Sequence, residues 1–374
     1  MGDRSPCILL AGGGSGGHLY PGIAVAEALR DALPDARLLF LCTERAIDRT
    51  ILEPTGLEFV PQPIVPPHRS IGGLLRFWRS WRQTLALVEK TLDERKPSAV
   101  LGLGGYAAGV AVKLAGQRGI PTAVLNPDVI PGKANNYLLK HVSAVCCQFE
   151  RTREHLPLGH REKVRVTGCP IRKEITLAHD RVEACRALGL DPLLKTLLVT
   201  GASQGAVTVN AAAVQTLSGM KLNGWQVLHL AGKDHAEPVR AGYRQANVPA
   251  LVIDFTPAMA LVWAATDLAI SRAGASSVAE LTSCGVPSVL MPYPFHKDMH
   301  QLANAKELAG AGAAVIVDDA RDARVNAERL QPALEPLLYD ASARERMALA
   351  AKSLGHPDAA SAVARLLLEL VGVN

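Results

Sequence analysis

Residues 11–22 read AGGGSGGHLYPG: five glycines in the six positions from Gly12 to Gly17, interrupted by Ser15 and followed at once by His18. A glycine-rich turn between an apolar run and a helix leaves backbone N–H groups at the positive end of that helix, which suits an anion. Histidine is a side chain able to take a proton near neutral pH. Together they offer a seat for a phosphate-bearing ligand beside a general base. Each also has a plainer reading: a turn that only packs a helix on a sheet, and a structural histidine. Gly12, Gly14 and Gly17 satisfy G-x-G-x-x-G as well, so a dinucleotide is an alternative occupant.

Two further clusters could serve a ligand. Residues 201–206, GASQGA, again form a glycine turn between a strand-like and a helix-like stretch, with Ser203 and Gln204 within it. Residues 272–280, RAGASSVAE, put small residues including Ala275 where a helix begins, so a ligand can approach the backbone closely. Glu280 lies about one helical turn beyond Ser276 and Ser277 and can face the same ligand. A carboxylate there can accept from both hydroxyls of a ribose. Gln301 and Asn304, in HKDMHQLANA at 296–305, are neutral amides suited to sugar hydroxyls. The plainer alternatives are a solvated helix glutamate and ordinary surface polar residues. A dehydrogenase would use one glycine loop, with Glu44 as its ribose acid, and would leave residues 201–206 without a task.

These residues need elements to hold them. Apolar runs at 7–11, 38–42, 99–103, 121–125, 143–147 and 164–167, then at 196–200, 226–230, 250–254, 267–270, 287–291 and 313–317, alternate with alanine- and leucine-rich stretches. That alternation predicts parallel sheets with crossover helices. The expected fold is α/β, with two doubly wound parallel-sheet (Rossmann-like) domains facing a cleft at their strand carboxyl ends, where such folds bind ligands. A length of 374 residues fits two domains. The polar stretch at 166–180 marks the division, giving domains over 1–170 and 171–353 and a terminal helix, 354–374, that packs back on the first. Pro21 is expected in the first turn of the helix after the glycines, where its missing N–H costs nothing.

Composition bounds the class. The chain is 48% hydrophobic and 20% charged, hence globular. Its net charge of +5 is mild and calls for no nucleic acid. Seven cysteines, an odd number without a C-x-x-C pair, predict reduced thiols, a cytosolic setting and no cysteine metal site. The first residues lack the pattern of a signal peptide, and no apolar run approaches the roughly 20 residues of a membrane span.

Taken in order, the glycine loop with His18, GLGGY at 102–106, the PG and N of 131–135, GASQGA at 201–206, RAGASSVAE at 272–280 and the HKD, Q and NA of 296–305 resemble the MurG family of bacterial N-acetylglucosaminyltransferases. The resemblance implies a GT-B glycosyltransferase. Such an enzyme moves N-acetylglucosamine from UDP-GlcNAc to the 4-hydroxyl of the muramoyl sugar of lipid I, inverting the anomeric centre and giving lipid II for peptidoglycan. It implies no cofactor and no essential metal, an acceptor-binding N-terminal domain and a donor-binding C-terminal domain. Carried over by position, Glu280 holds the ribose, and Arg172 lies by the donor diphosphate. Ser203, Gln204 and Ala275 help form the nucleotide pocket, Phe255 and Thr256 match the uracil-side segment, and Gln301 contacts the sugar. Gly13, Gly14, Ser15, Gly16 and Gly17 face the acceptor diphosphate, with His18 where the diphosphates and the reacting hydroxyl converge. A UDP-sugar transferase with another acceptor, an NAD-dependent oxidoreductase and a non-catalytic nucleotide-sugar-binding protein remain as alternatives. Glu280 with Gln301 disfavours the oxidoreductase.

One segment departs from the family. Before PG the family usually has H-E-Q-N, and here Leu125, Asn126, Pro127 and Asp128 stand instead. Asp128 thus puts a carboxylate where an amide is usual. The segment is drifted structure, an altered acceptor contact with Asn126 as a further candidate, or the seat of a second base competing with His18. A histidine near about 6.5 suits neutral pH better than an aspartate near about 3.9.

Residues 68–82, HRSIGGLLRFWRSWR, interleave apolar and basic residues. They predict an amphipathic helix contacting an anionic membrane surface through Leu75, Trp78, Trp81, Arg76 and Arg79. The plainer reading buries the aromatics in the core. Because the family's acceptor resides in a bilayer, the resemblance favours a peripheral protein on the cytoplasmic face of the inner membrane.

Overall fold

The computed structural model describes residues 5–67, 70–201, 205–295 and 298–373. The chain divides into two compact units, Met1–Arg172 with Pro357–Asn374, and Lys173–His356.

The first unit holds a seven-stranded sheet: β1 (Cys7–Ala11), β2 (Arg37–Thr43), β3 (Glu58–Gln62), β4 (Ala99–Gly102), β5 (Thr122–Asn126), β6 (Ala144–Cys147) and β7 (Val164–Val166), in the order β3-β2-β1-β4-β5-β6-β7. All pairs are parallel. Helices α1 (Gly16–Ala32), α2 (Ala46–Leu52), α3 (Ile71–Arg95) and α4 (Gly109–Gln117) follow β1, β2, β3 and β4. Strand order reverses between β1 and β4, which opens a crevice at their carboxyl ends.

Both faces of this sheet are covered, so its strands read as unbroken apolar runs. Ile8, Leu10, Leu38 and Phe40 pack on one face with Val363 and Leu367 of the helix Ala359–Leu370. Leu9, Leu39 and Leu41 pack on the other with Val88 of α3 and Val112 of α4. Each such side chain contributes about 1.5–3 kcal/mol when fully buried.

Two local expectations are corrected. β3 has no counterpart among the predicted strands, because Pro61 interrupts its pattern. Pro61 is tolerated there because β3 is the edge of the sheet, where a missing N–H breaks little of the ladder. Pro21 is not in a first turn: α1 already begins at Gly16, and Pro21 lies inside it. It cannot donate to the Gly17 carbonyl four residues back.

The second unit holds β8 (Lys195–Thr200), β9 (Trp225–Leu230), β10 (Ala250–Ile253), β11 (Leu268–Ser271), β12 (Ser288–Leu290) and β13 (Ala314–Ile316), in the order β10-β9-β8-β11-β12-β13. This sheet is also wholly parallel, and its order reverses between β8 and β11. All seven cysteines are free thiols, and burial pushes those of Cys42, Cys146, Cys147 and Cys284 up to about 12.

Candidate active site

In the first unit the glycine turn is held from below by a carboxylate. Asp48 of α2 is fully buried and accepts from the Gly14 amide at 2.7 and 2.9 Å, and from the Thr43 amide and hydroxyl, both at 2.7 Å. A β-carbon on Gly13 would stand 2.2 Å from Asp48 Oδ2, so only glycine fits. Arg45 closes the other side by donating to the Gly14 carbonyl. The Gly14 amide is therefore committed to Asp48. The anion-facing donors of this turn are the later ones, at Gly16 and Gly17, where α1 begins behind the cap residue Ser15.

His18 lies in the first turn of α1, half-buried, with Nδ1 3.1 Å from Ser15 Oγ. Its ring rests on the turn after β4. Side-chain carbons at Gly104 and Gly105 would stand 3.2 and 3.1 Å from the imidazole, and both residues have positive φ, +98° and +71°. The GLGGY segment is thus glycine-rich to admit this ring. Burial lowers the His18 pKa below its usual 6.5, against the opposing effects of the Gly13 backbone and the Asp128 and Asp48 carboxylates. The imidazole is therefore neutral at neutral pH and able to accept a proton.

Asp128 follows β5. Its carbonyl accepts from Asn126 Nδ2 at 2.8 Å, and Asn126 Oδ1 in turn accepts from Asn135 Nδ2 at 3.0 Å. Asn126 is only 2% exposed, so it positions the Asp128 turn from inside. Arg172 closes the first unit and stacks on Tyr20 of α1, 5.2 Å from its ring centre. Glu44 is exposed just beyond β2.

In the second unit the turn after β8 spans residues 201–206, of which Ser203 and Gln204 lie outside the described residues. At its far end Gly205 has φ +70° and runs so close to β9's exit that a β-carbon would stand 2.1 Å from the Ala231 carbonyl. The helix Ala275–Cys284 starts behind Gly274 with no side chain capping it, so Ala275 opens on bare amides. Glu280, half-buried on this helix, accepts from the Trp263 indole at 2.7 Å. That fixes one carboxylate oxygen. Gln301 Oε1 accepts from the Tyr293 and Ala273 amides at 3.0 and 3.3 Å. Its Nε2 lies 3.8 Å from the position of a Gly274 β-carbon. Asn304 is fully buried and donates to the Ala273 carbonyl at 3.0 Å, a scaffolding role. Thr256 accepts from the Ala258 amide at 3.1 Å beside the exposed ring of Phe255.

Sequence reading missed the groups that support these sites. Asp48, Arg45 and Trp263 are examples, and so is Asp319, which pairs with the buried Arg272 at 2.9 Å and with Thr208 ties the loops after β11, β12 and β13 to the helix Val207–Ser218. The one available signal was a carboxylate in the first turn of a helix that follows a strand, as at Asp48.

The basic-aromatic stretch forms the first turns of α3. Ile71, Leu74, Leu75 and Trp78, spaced as one helical face, are exposed, as are Arg76 and Arg79. Trp81 departs from the expected contact set: it is half-buried against Gly109 of α4, with the Lys113 ammonium 6.0 Å from its ring centre. Its position on α3 turns it toward the sheet rather than outward. Among the described residues no helix is long and apolar enough to cross a membrane.

Residues 8–147 match the family described as Glycosyltransferase family 28 N-terminal domain, and residues 196–363 match the Glycosyltransferase family 28 C-terminal domain. Among solved structures, the fold resembles that of Acinetobacter baumannii MurG, with TM-score 0.76 and 24% identity over 97% of this chain and 99% of that one. It also resembles Neisseria meningitidis UDP-GlcNAc 2-epimerase bound to UDP-GlcNAc, with TM-score 0.70 and 15% identity over 97% and 100%. A UDP-N-acetylglucosamine–N-acetylmuramyl-(pentapeptide) pyrophosphoryl-undecaprenol N-acetylglucosamine transferase of Bacillus licheniformis is 34% identical over 370 residues, 97% of this chain and 98% of that protein. A counterpart from Bacillus thuringiensis is 33% identical over 371 residues, 97% and 99%. At that identity and coverage, the chain belongs to the family of these N-acetylglucosamine transferases.

Proposed function

We propose that this protein transfers N-acetylglucosamine from UDP-GlcNAc to the 4-hydroxyl of the muramoyl sugar of lipid I, giving lipid II, with inversion at the anomeric carbon. The observation that carries the chemistry is the His18 imidazole lodged on Gly104–Gly105 beside an anion-receptive turn, where burial lowers its pKa against the field of Asp128. His18 takes the proton of the acceptor hydroxyl as its oxygen attacks the sugar's anomeric carbon. The bond from that carbon to the diphosphate breaks, and UDP leaves with the electron pair. Gly16, Gly17 and Ser15 face the acceptor diphosphate, while Gly13 and Gly14 shape the turn. Arg172 offers a cation to the donor diphosphate. In the donor unit Glu280 accepts from the ribose, Ala275 and the 201–206 turn approach the nucleotide, Thr256 borders the base, and Gln301 offers its amide to the sugar.

The exposed apolar stripe of α3, flanked by Arg76 and Arg79, supports peripheral attachment to an anionic membrane surface. A lipid-linked acceptor used together with a nucleotide-sugar donor supports the reading that this surface is the cytoplasmic face of the inner membrane.

A transfer assay with labelled UDP-GlcNAc and a lipid I analogue tests the reading. Formation of the disaccharide product with inverted configuration is expected. Donor binding with no transfer to any muramoyl acceptor would overturn it.

A further inference from the structure

A cavity of about 320 Å³ opens beyond β2 and β3, and its walls include Glu44, Arg45, Arg49, Phe59 and Pro61. In the sheet order β3-β2-β1-β4-β5, it stands on one flank of the glycine turn, while Gly104–Gly105 and Asp128 stand on the other. It is thus separate from the base yet joined to the same turn, because Arg45 reaches from the cavity wall to the Gly14 carbonyl.

Its chemistry is mixed. Two arginines and one glutamate line it together with an aromatic and a proline wall. Among the described residues, no carboxylate lies within ion-pair distance of Arg45. Among the described residues the only one within ion-pair distance of Arg49 is Glu53, at 3.6 Å with both side chains well exposed, a pairing of little worth. A bare phosphate would use the arginines, meet repulsion from Glu44 and leave Phe59 and Pro61 idle. The volume is also near the lower end for small-molecule sites, about 300–1,000 Å³, and far above the roughly 30 Å³ of a water. An amino-acid head group uses every wall: its carboxylate meets Arg49 and Arg45, its ammonium meets Glu44, and its methylene stem lies on Phe59 and Pro61.

We propose that this cavity is a subsite for the peptide carried by the muramoyl acceptor, and that it selects a peptide residue whose side chain ends in both an ammonium and a carboxylate. This rests on the reaction proposed above. The peptide then anchors the acceptor on the β2–β3 flank while its sugar hydroxyl meets His18 on the other.

The test compares short-chain lipid I analogues whose peptide has, at one position, a side chain bearing ammonium and carboxylate, one bearing ammonium alone, or one bearing neither. For the unaltered protein the acceptor KM should rise about tenfold on loss of the carboxylate, with kcat unchanged. R49Q should raise KM for the full acceptor most of the way to that of the ammonium-only one, Arg45 remaining, and leave the latter's KM as it was. E44Q should erase the preference for the ammonium. Both residues are exposed, and unchanged melting temperatures will exclude misfolding. Equal KM for all three acceptors, or discrimination that survives R49Q and E44Q, would overturn the subsite while leaving transfer itself intact. Absence of transfer to every acceptor would instead remove the parent reaction.

Discussion

The two glycine turns look alike in sequence and are built differently. The turn after β1 is gripped by a buried carboxylate, Asp48, and delivers a titratable ring, His18, onto the turn after β4. After β8 the described contact is backbone against backbone, Gly205 against the Ala231 carbonyl. The fixed polar groups of that unit, Glu280 on Trp263 and Gln301 on two amides, come from the helices Ala275–Cys284 and His300–Gly310 that follow β11 and β12. Under the proposed function this contrast is a division of labour: the first turn would carry proton chemistry, and the second unit recognition of a nucleotide-sugar.

The largest effect expected from breaking this contrast is at His18. His18→Ala should lower kcat about 10²–10⁴-fold in the transfer assay, the range of a single general base. Wild-type turnover in that variant would move the base elsewhere. The pH profile sharpens the point. Burial holds the folded-state His18 pKa below 6.5, so the acid limb of kcat/KM, which reports the free enzyme, should fall at a pH below 6.5, and not at it. The same shift means the unfolded chain binds the proton more readily. Stability should therefore decline as pH falls through 6.5, and His18→Gln should flatten that decline.

Next in size are the supports. Asp48→Ala leaves the buried Gly14 and Thr43 amides without their acceptor, at about 1–3 kcal/mol for each orphaned donor. Denaturant unfolding measures this, and an unchanged midpoint would show that the first turn holds itself. Glu280→Ala should weaken UDP-GlcNAc binding by about 1.5–3 kcal/mol, read by calorimetry, with equal affinities removing the ribose assignment. Asp128→Asn is expected to cost less, mainly in acceptor KM, because Asn126 fixes that turn through the Asp128 backbone carbonyl and not through its carboxylate. The smallest effect on chemistry lies on α3. Leu75→Glu with Trp78→Glu should abolish flotation with anionic liposomes and leave transfer to a soluble acceptor intact. Flotation unaffected by this change would dismiss the membrane face.

Much of the frame was legible because parallel strands covered on both faces announce themselves as apolar runs. Elements that break that pattern were not. β3 hides behind Pro61, and the start of α1 hides among glycines that carry no periodicity. For the site, the turns and His18 were visible because a cluster of glycines closing an apolar run, with a histidine directly after it, is a specific signal. Their supports were invisible because they are non-local. Asp48 acts on Gly14 from 34 residues away, and Trp263 on Glu280 from 17. Trp81 shows the limit within one helix. Composition put it with Trp78, but the curvature of the helix surface turns one ring outward and the other onto Gly109.

The division of labour is tested most directly by measuring UDP-GlcNAc affinity and transfer turnover side by side in His18→Ala and Glu280→Ala. The account predicts that His18→Ala binds UDP-GlcNAc like the unaltered protein and has lost turnover, whereas Glu280→Ala binds weakly and recovers turnover as the donor approaches saturation. Weak donor binding in His18→Ala together with normal turnover at saturation would contradict it.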